Sequence, residues 1–552
     1  MKINKEKVKN ITTVILLIMI ILVVFQYTLE IRKPWFGKIS DGGHQWLSGT
    51  TLKYSRIWWD QGAVNLKFAT FANPSSVEFP NLKSQIPELS YPPGEIIPIY
   101  TISKIINQEP NLNIVMGYNL FNHFLIIVFL SLIIFIFLRQ IGFNIFYSFL
   151  FSIIPILTES LLPGPIYWHQ NVFFADQAVI LPFVLIIFLA VIRDNIKNQA
   201  KFKILNFIEA LVFFWGIMTD WLFIFVFLTI YILRFKPYKI KNNFYIIFKK
   251  TLIFWLPIII AALLYIAQLI RFDLIKLIIY KLNYYSFAGS NSKIMFFSAH
   301  FWLSYIPNYF GRAGSIILMG IIFLFGLIIW QIIILKRRKE IIDIKVKKIM
   351  SLASIALIPC LLQIYFFPHH SYVHDFSTLK FSIPMALLPF ILIPLAIVFI
   401  LELDIDFKKI NTKATVLIII LLIIAGTYTI KEHSRAIKIF PTPKKSFHII
   451  GNFLDKNTEY EDVVFSPDIE IAANPPQELA LSMKRVYKID SLDEISKKVK
   501  GRTEEFVINI FFTKKDNMEK FQEIKDSAYE TRQDEINNLY LYKIKKDYFI
   551  NN

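Results

Sequence analysis

The sequence predicts an all-α polytopic membrane protein of about eleven transmembrane helices, with a small α/β domain at its C-terminus on the extracytoplasmic side. Three observations lead there. The 552 residues are 55% hydrophobic and 18% charged, against roughly 45–50% and 25% in soluble proteins. Mean hydropathy is +0.49, and the apolar residues gather in runs of about 20, the length a bilayer requires. The last 122 residues, by contrast, have an ordinary soluble composition. A soluble enzyme, a disordered chain and a fibrous chain are excluded. Cys360, the single cysteine, has no partner for an intrachain disulfide.

The net charge of +19 lies wholly in the apolar part. From Lys431 onward there are 21 basic and 21 acidic residues, which leaves 39 against 20 for residues 1–430. Basic residues between apolar spans report topology, so nucleic acid is not an expected partner. The first run, Ile11 to Tyr27, follows Lys2, Lys5, Lys7 and Lys9 and has no small-residue cleavage site. It reads as a retained signal-anchor with a cytoplasmic N-terminus. Further spans are expected near 113–138, 145–162, 172–192, 251–271, 313–335, 349–367, 381–401 and 414–430. The stretch 204–233 has basic flanks at both ends, so it must enter and leave on one side. It is expected to be a hairpin with Asp220 at its outer tip. Eleven crossings result. The inner loops then carry 25 Lys and Arg, and the short outer loops five. The C-terminus is placed outside the cell membrane.

Residues 1–430 form the expected transmembrane domain, including a long outer loop, 30–112, and residues 431–552 the soluble domain. In the latter, Val463–Ser466, Val486–Ile489, Phe506–Phe512 and Leu539–Ile544 read as strands. Stretches 475–484, 491–500 and 515–528 read as helices.

All nine histidines fall on the outer side of this topology, which is where a site is expected. The first cluster is Asp41-Gly-Gly-His44. Two glycines let a substrate approach the backbone closely, although a plain Asp-Gly turn uses the same residues. The second is Tyr91-Pro-Pro-Gly94-Glu95, a rigid turn that equally suits entry to a surface helix. The third holds His169 with Asp176 inside the next span. An acid there is costly and faces a cavity or a partner, and the same holds for Asp220. The fourth is the densest, with His369, His370, His374, Asp375 and Lys380 within thirteen residues. His370 and His374 have the i, i+4 spacing of a zinc pair, but no HExxH context surrounds them. No metal or other cofactor is expected, though a divalent ion stays open. Phosphate-loop, dinucleotide and serine-hydrolase motifs are missing.

Taken together, the signal-anchor, the long first outer loop with an early acid, the many spans and the outer C-terminal domain resemble the GT-C integral-membrane glycosyltransferases. That superfamily includes protein O-mannosyltransferases and bacterial aminoarabinose transferases. The resemblance implies that Asp41, matching the early first-loop acid, is the catalytic base. The Tyr91–Gly94 turn is similar to a Pro-Pro element late in that loop. Many members carry an acidic pair where this sequence has Asp41-Gly42. The implied activity is inverting transfer of a hexosyl or pentosyl group from a polyprenyl-phosphate donor to a glycan, lipid or protein acceptor. Such a donor needs a site at the membrane boundary, with membrane lipid around it. Lys380 and the nearby histidines are the expected phosphate partners, and His44, Tyr91, His169, Asp176, Asp220 and Asp375 the other substrate contacts. The alternative is a lipid or glycolipid flippase, whose polar residues would extend to mid-membrane.

Overall fold

The structure is a computed structural model. It describes residues 5–38, 44–71, 87–196, 198–235, 244–286, 302, 310, 312–337, 344–389, 391–392, 423–424, 426–434, 445–459, 462–468, 486–500 and 507–551. Two compact units are present. One comprises 1–34, 119–170 and 175–440, the other 35–118, 171–174 and 441–552.

The first unit is helical. Helix α1 runs Lys5–Arg32; α2 (Trp46–Gln61) and α3 (Ile96–Ile106) belong to the second unit. Then come α4 (Leu112–Ile141), α5 (Ile145–Leu161), α6 (Pro163–Asn171), α7 (Ala175–Ala178) and α8 (Ile180–Arg193). They are followed by α9 (Gln199–Ile217), α10 (Leu222–Phe235), α11 (Phe244–Arg271) and α12 (Ile275–Tyr285). Helices α13 (Arg312–Arg337), α14 (Ile344–Phe366), α15 (Pro368–Val373) and α16 (Ser382–Leu387) close the unit. Among the described residues six helices are long and apolar enough to cross a membrane, or seven if the bent pair α5–α6 counts as one span. The chain is a multi-pass membrane protein. The expected spans near 381–401 and 414–430 lie largely outside the described residues.

One loop turns out to be helical. Residues 163–171 form α6, bent by 60° from α5. Pro163 and Pro165 both lie in the first turn, where no amide is needed for a helical hydrogen bond.

The expected hairpin is present as α9 and α10, joined across Met218–Trp221. Two contacts fix it. Gly216 lies so close to the Phe223 ring that a Cβ there would approach it to 2.2 Å, so only glycine permits this crossing. Asp220 Oδ1 accepts from the Leu222 amide at 2.6 Å, capping an otherwise orphaned donor at the start of α10.

In the second unit the tail is a five-stranded sheet of order β2-β1-β3-β5-β4. The strands are β1 (Val463–Ser466), β2 (Val486–Lys488), β3 (Val507–Phe512), β4 (Glu530–Asp534) and β5 (Leu539–Lys545). Strands β2, β1 and β3 are parallel, while β5 is antiparallel to β3 and β4. Alternation sorts the side chains. Val463, Phe465, Ile508 and Ile510 enter one core, and Val464, Phe511 and Leu541 another, because successive side chains point to opposite faces. Helix α17 (Lys445–Asn457) covers the second face through Leu454. Its Asp455 reaches Arg56 of α2 at 3.3 Å, and Arg56 also pairs with Glu109. Burial works to lower the Arg56 pKa, but Asp455 and Glu109 outweigh it and raise it.

Candidate functional site

Charged groups cannot stay unpaired where water is excluded, so buried ions mark the places to search. Three come together from distant parts of the first unit. Asp176 lies on α7, Asp220 at the hairpin tip, and Lys380 in a 3-10 turn, Asp375–Phe381, that follows α15. Lys380 Nζ is 2.7 Å from Asp176 Oδ1 and 2.9 Å from Asp220 Oδ2. All three side chains are buried, with exposures of 1%, 3% and 0% for Lys380, Asp176 and Asp220. Gln363 on α14 donates to Asp220 Oδ1 at 3.3 Å. The Lys380 carbonyl faces Cys360 Sγ at 3.5 Å.

This geometry changes the expected role of Lys380. Its ammonium is bracketed by two carboxylates and is no isolated point charge for a phosphate. The triad carries one net negative charge when all three groups are ionised.

Beside it stands an aromatic and imidazole group. His370 and His374 have ring centroids 4.7 Å apart, and His374 N–H donates to the His370 carbonyl at 2.7 Å. Tyr285, the last residue of α12, packs against His369, His370 and His374 at 6.0, 5.5 and 6.0 Å. Both His370 and His374 are within electrostatic reach of Asp176. Helix α15 ends at Val373, so the i, i+4 pair straddles its C-terminus. Asp375 opens the 3-10 turn, and its side chain lies outside the described residues.

His169 on α6 is fully buried and stacks on His123 of α4, centroids 4.2 Å apart and 3° from parallel. Tyr91 and His44 belong to the second unit. The Tyr91 ring meets Phe174 edge-on at 5.5 Å, and His44 takes a left-handed backbone conformation at φ 61°. Asp41 lies outside the described residues.

Several residues went unnoticed in the sequence. Gln363 and Tyr285 gave no signal, because single glutamines and tyrosines at helix positions are common. Glu159 did give one: an acid in an apolar span, the criterion that selected Asp176. With His123 and His169 it forms, among the described residues, a grouping of metal-ligand type.

No family model matches the sequence, and no curated protein does. Solved structures do match. The chain is similar to ArnT from Cupriavidus metallidurans bound to undecaprenyl phosphate, with a TM-score of 0.54 and 11% identity over 96% of this chain and 97% of that one. It is also similar to the Archaeoglobus fulgidus oligosaccharyltransferase in complex with Zn and sulfate. There the TM-score is 0.51 and the identity 10%, over 85% of this chain but 62% of the other. The chain thus spans less than two thirds of that enzyme's length. At these identities the likeness is one of fold, and this chain shares the fold of those two structures.

Proposed function

We propose that this protein transfers a sugar from a polyprenyl-phosphate donor to an acceptor on the outer face of the membrane. The observation that carries the reading is the end-to-end match of fold with ArnT, a protein solved with undecaprenyl phosphate bound. The N-terminus is cytoplasmic and the C-terminus extracytoplasmic. With Cys360→Ser as background, single cysteines in 194–203 should resist an impermeant thiol reagent in intact cells, and one at the exposed tail position Ile536 should label. The reverse pattern would invert the orientation.

The chemistry is a displacement at the anomeric carbon. The acceptor oxygen forms a bond to that carbon as the bond to the phosphate oxygen breaks, and the phosphate leaves with the electron pair. Asp41 takes the acceptor proton. Positive charge builds on the sugar ring in such a transition state, and the net negative triad of Asp176, Asp220 and Lys380 suits that charge. Lys380 holds the two carboxylates in place. His370 and His374 supply hydrogen-bond donors to the departing phosphate, which relieves Lys380 of that task. Tyr91, His44 and Asp375 are further substrate contacts in this scheme.

Asp41→Asn keeps shape and removes the proton acceptor. Transfer should fall about 10²-fold or more, the scale of general base catalysis, while donor binding persists. Near-normal transfer by this variant would remove Asp41 from the role and leave Asp176 or Asp220 as the base.

A further inference from the structure

A second buried polar cluster shares none of its members with the triad. His123 comes from α4, Glu159 from the last turns of α5, and His169 from α6. One ligand atom from each falls within 4.8 Å of the other two, and all three residues are buried. We propose that these residues bind a divalent metal ion of the zinc type.

The inventory of donors and acceptors points to a cation. Glu159 Oε2 and Gln177 Oε1 are buried with no hydrogen-bond partner, and Gln177 touches the His169 ring through its amide nitrogen. Two orphaned acceptor oxygens beside two imidazoles are what a cation would satisfy; an anion site would orphan donors instead. Two nitrogens and a carboxylate oxygen suit zinc, whereas magnesium and calcium prefer all-oxygen sets. Ligands around tetrahedral zinc sit about 3.3–3.5 Å apart, so the side chains must draw inward and the stacked imidazoles tilt. All three ligands are sealed from solvent, which fits a structural ion that ties the bent α5–α6 pair to α4.

Arg32, at the end of α1, gives the site its particular behaviour. His123 Nε2 lies 2.9 Å from the Glu159 carbonyl, and its Nδ1 lies 3.1 Å from Arg32 Nη1. The imidazole therefore donates from Nε2 to the carbonyl, the kind of outer contact that orients a metal-binding histidine. Its Nδ1 lone pair accepts from the guanidinium. Arg32 thus occupies the place of the ion. It can release Nδ1 and stay anchored, because Nε holds the Thr28 carbonyl at 3.2 Å and Nη2 the Thr28 hydroxyl at 2.5 Å. Arg32 competes with the metal both sterically and by charge.

The test uses the full chain in detergent, stripped with EDTA, titrated with ZnCl2, and read by bound zinc per chain after gel filtration. One zinc per chain is expected for the parent. Glu159→Gln keeps the shape and should weaken binding at least about 10-fold, as should His169→Ala. Arg32→Gln removes a like charge beside the ion and should tighten binding by about 10-fold or more. Variants are compared only where they elute as a single species like the parent. A parent that holds no zinc overturns the proposal. So does zinc that survives both Glu159→Gln and His169→Ala, or that disappears with His370→Ala while His169→Ala retains it.

Discussion

The two ends of the α9–α10 hairpin are both pinned by three charges, with opposite signs. At the tip, Asp220 and Asp176 share Lys380, leaving one net negative charge. At the open end, Glu209 is shared by Arg193 and Arg234, leaving one net positive charge. Arg234 grips Glu209 with two bonds of 2.6 and 3.0 Å, and Arg193 pairs with the same carboxylate while bonding Asn206 at 2.6 Å. The Glu209 side chain is 4% exposed, but the arginines are 17% and 20% exposed. The tip has no such outlet. Water can share the excess charge at the open end, while at the tip only protein groups answer it. The same three-ion arrangement is therefore tolerant at one end and exacting at the other. The exacting end is the one proposed to face the reacting sugar.

Removing the shared partner at the tip should have the largest effect. Lys380→Met strands two buried carboxylates, and breaking a buried pair costs about 3–5 kcal/mol. Thermal unfolding of the purified protein should show a large loss, and the double variant Lys380→Met/Asp220→Asn should recover part of it. If the single variant unfolds like the parent, the tip is not a sealed triad. Glu209→Gln probes the open end. It retains neutral hydrogen bonds to arginines that water reaches, so a loss of about 1.5–3 kcal/mol is expected, the worth of a charge-assisted bond. A loss equal to that of Lys380→Met would erase the contrast between the ends.

Gly216→Ala tests the crossing that brings the ends into register. The added methyl meets the Phe223 ring, and overpacking of this kind costs about 1–3 kcal/mol. The smallest effect is expected outside the hairpin, at Asp455→Asn. Its carboxylate is 40% exposed, and exposed pairs contribute under about 1 kcal/mol. A larger loss there would mean that the Arg56 contacts carry more of the second unit's stability than their exposure allows.

How much of this was legible depended on the range of the interaction. β-branched and aromatic residues in Val463–Ser466 and Leu539–Ile544 mark strands, and β1 matches residue for residue. Strand β4 escaped because Glu-Thr-Arg-Gln-Asp is polar throughout, as befits an edge strand that must not attract another chain. The hairpin was legible from the basic residues at both ends of 204–233. Asp176 and Asp220 are marked by the rule that ions in apolar surroundings have a function, and Lys380 by the density of titratable residues in 368–380. Their union is not, since 160 residues separate Lys380 from Asp220 and nothing local encodes the pairing. The sequence therefore offers Lys380 to a phosphate, while in the structure its ammonium pairs with two carboxylates. Glu159 satisfies the same rule, whereas Arg32 falls in the expected outer loop 30–112 beside Glu30 and Lys33 and gives no such signal.

The central claim is inverting transfer from a lipid-linked donor at the outer face, and the anomeric configuration of the product tests it most directly. Full-length protein in vesicles would be supplied with a polyprenyl-phosphate sugar of known anomeric form, and the transferred sugar examined by NMR. The expected product has the opposite configuration, and Asp41→Asn should reduce its yield about 10²-fold. Retained configuration, or intact donor moved across the bilayer without transfer, would contradict the account.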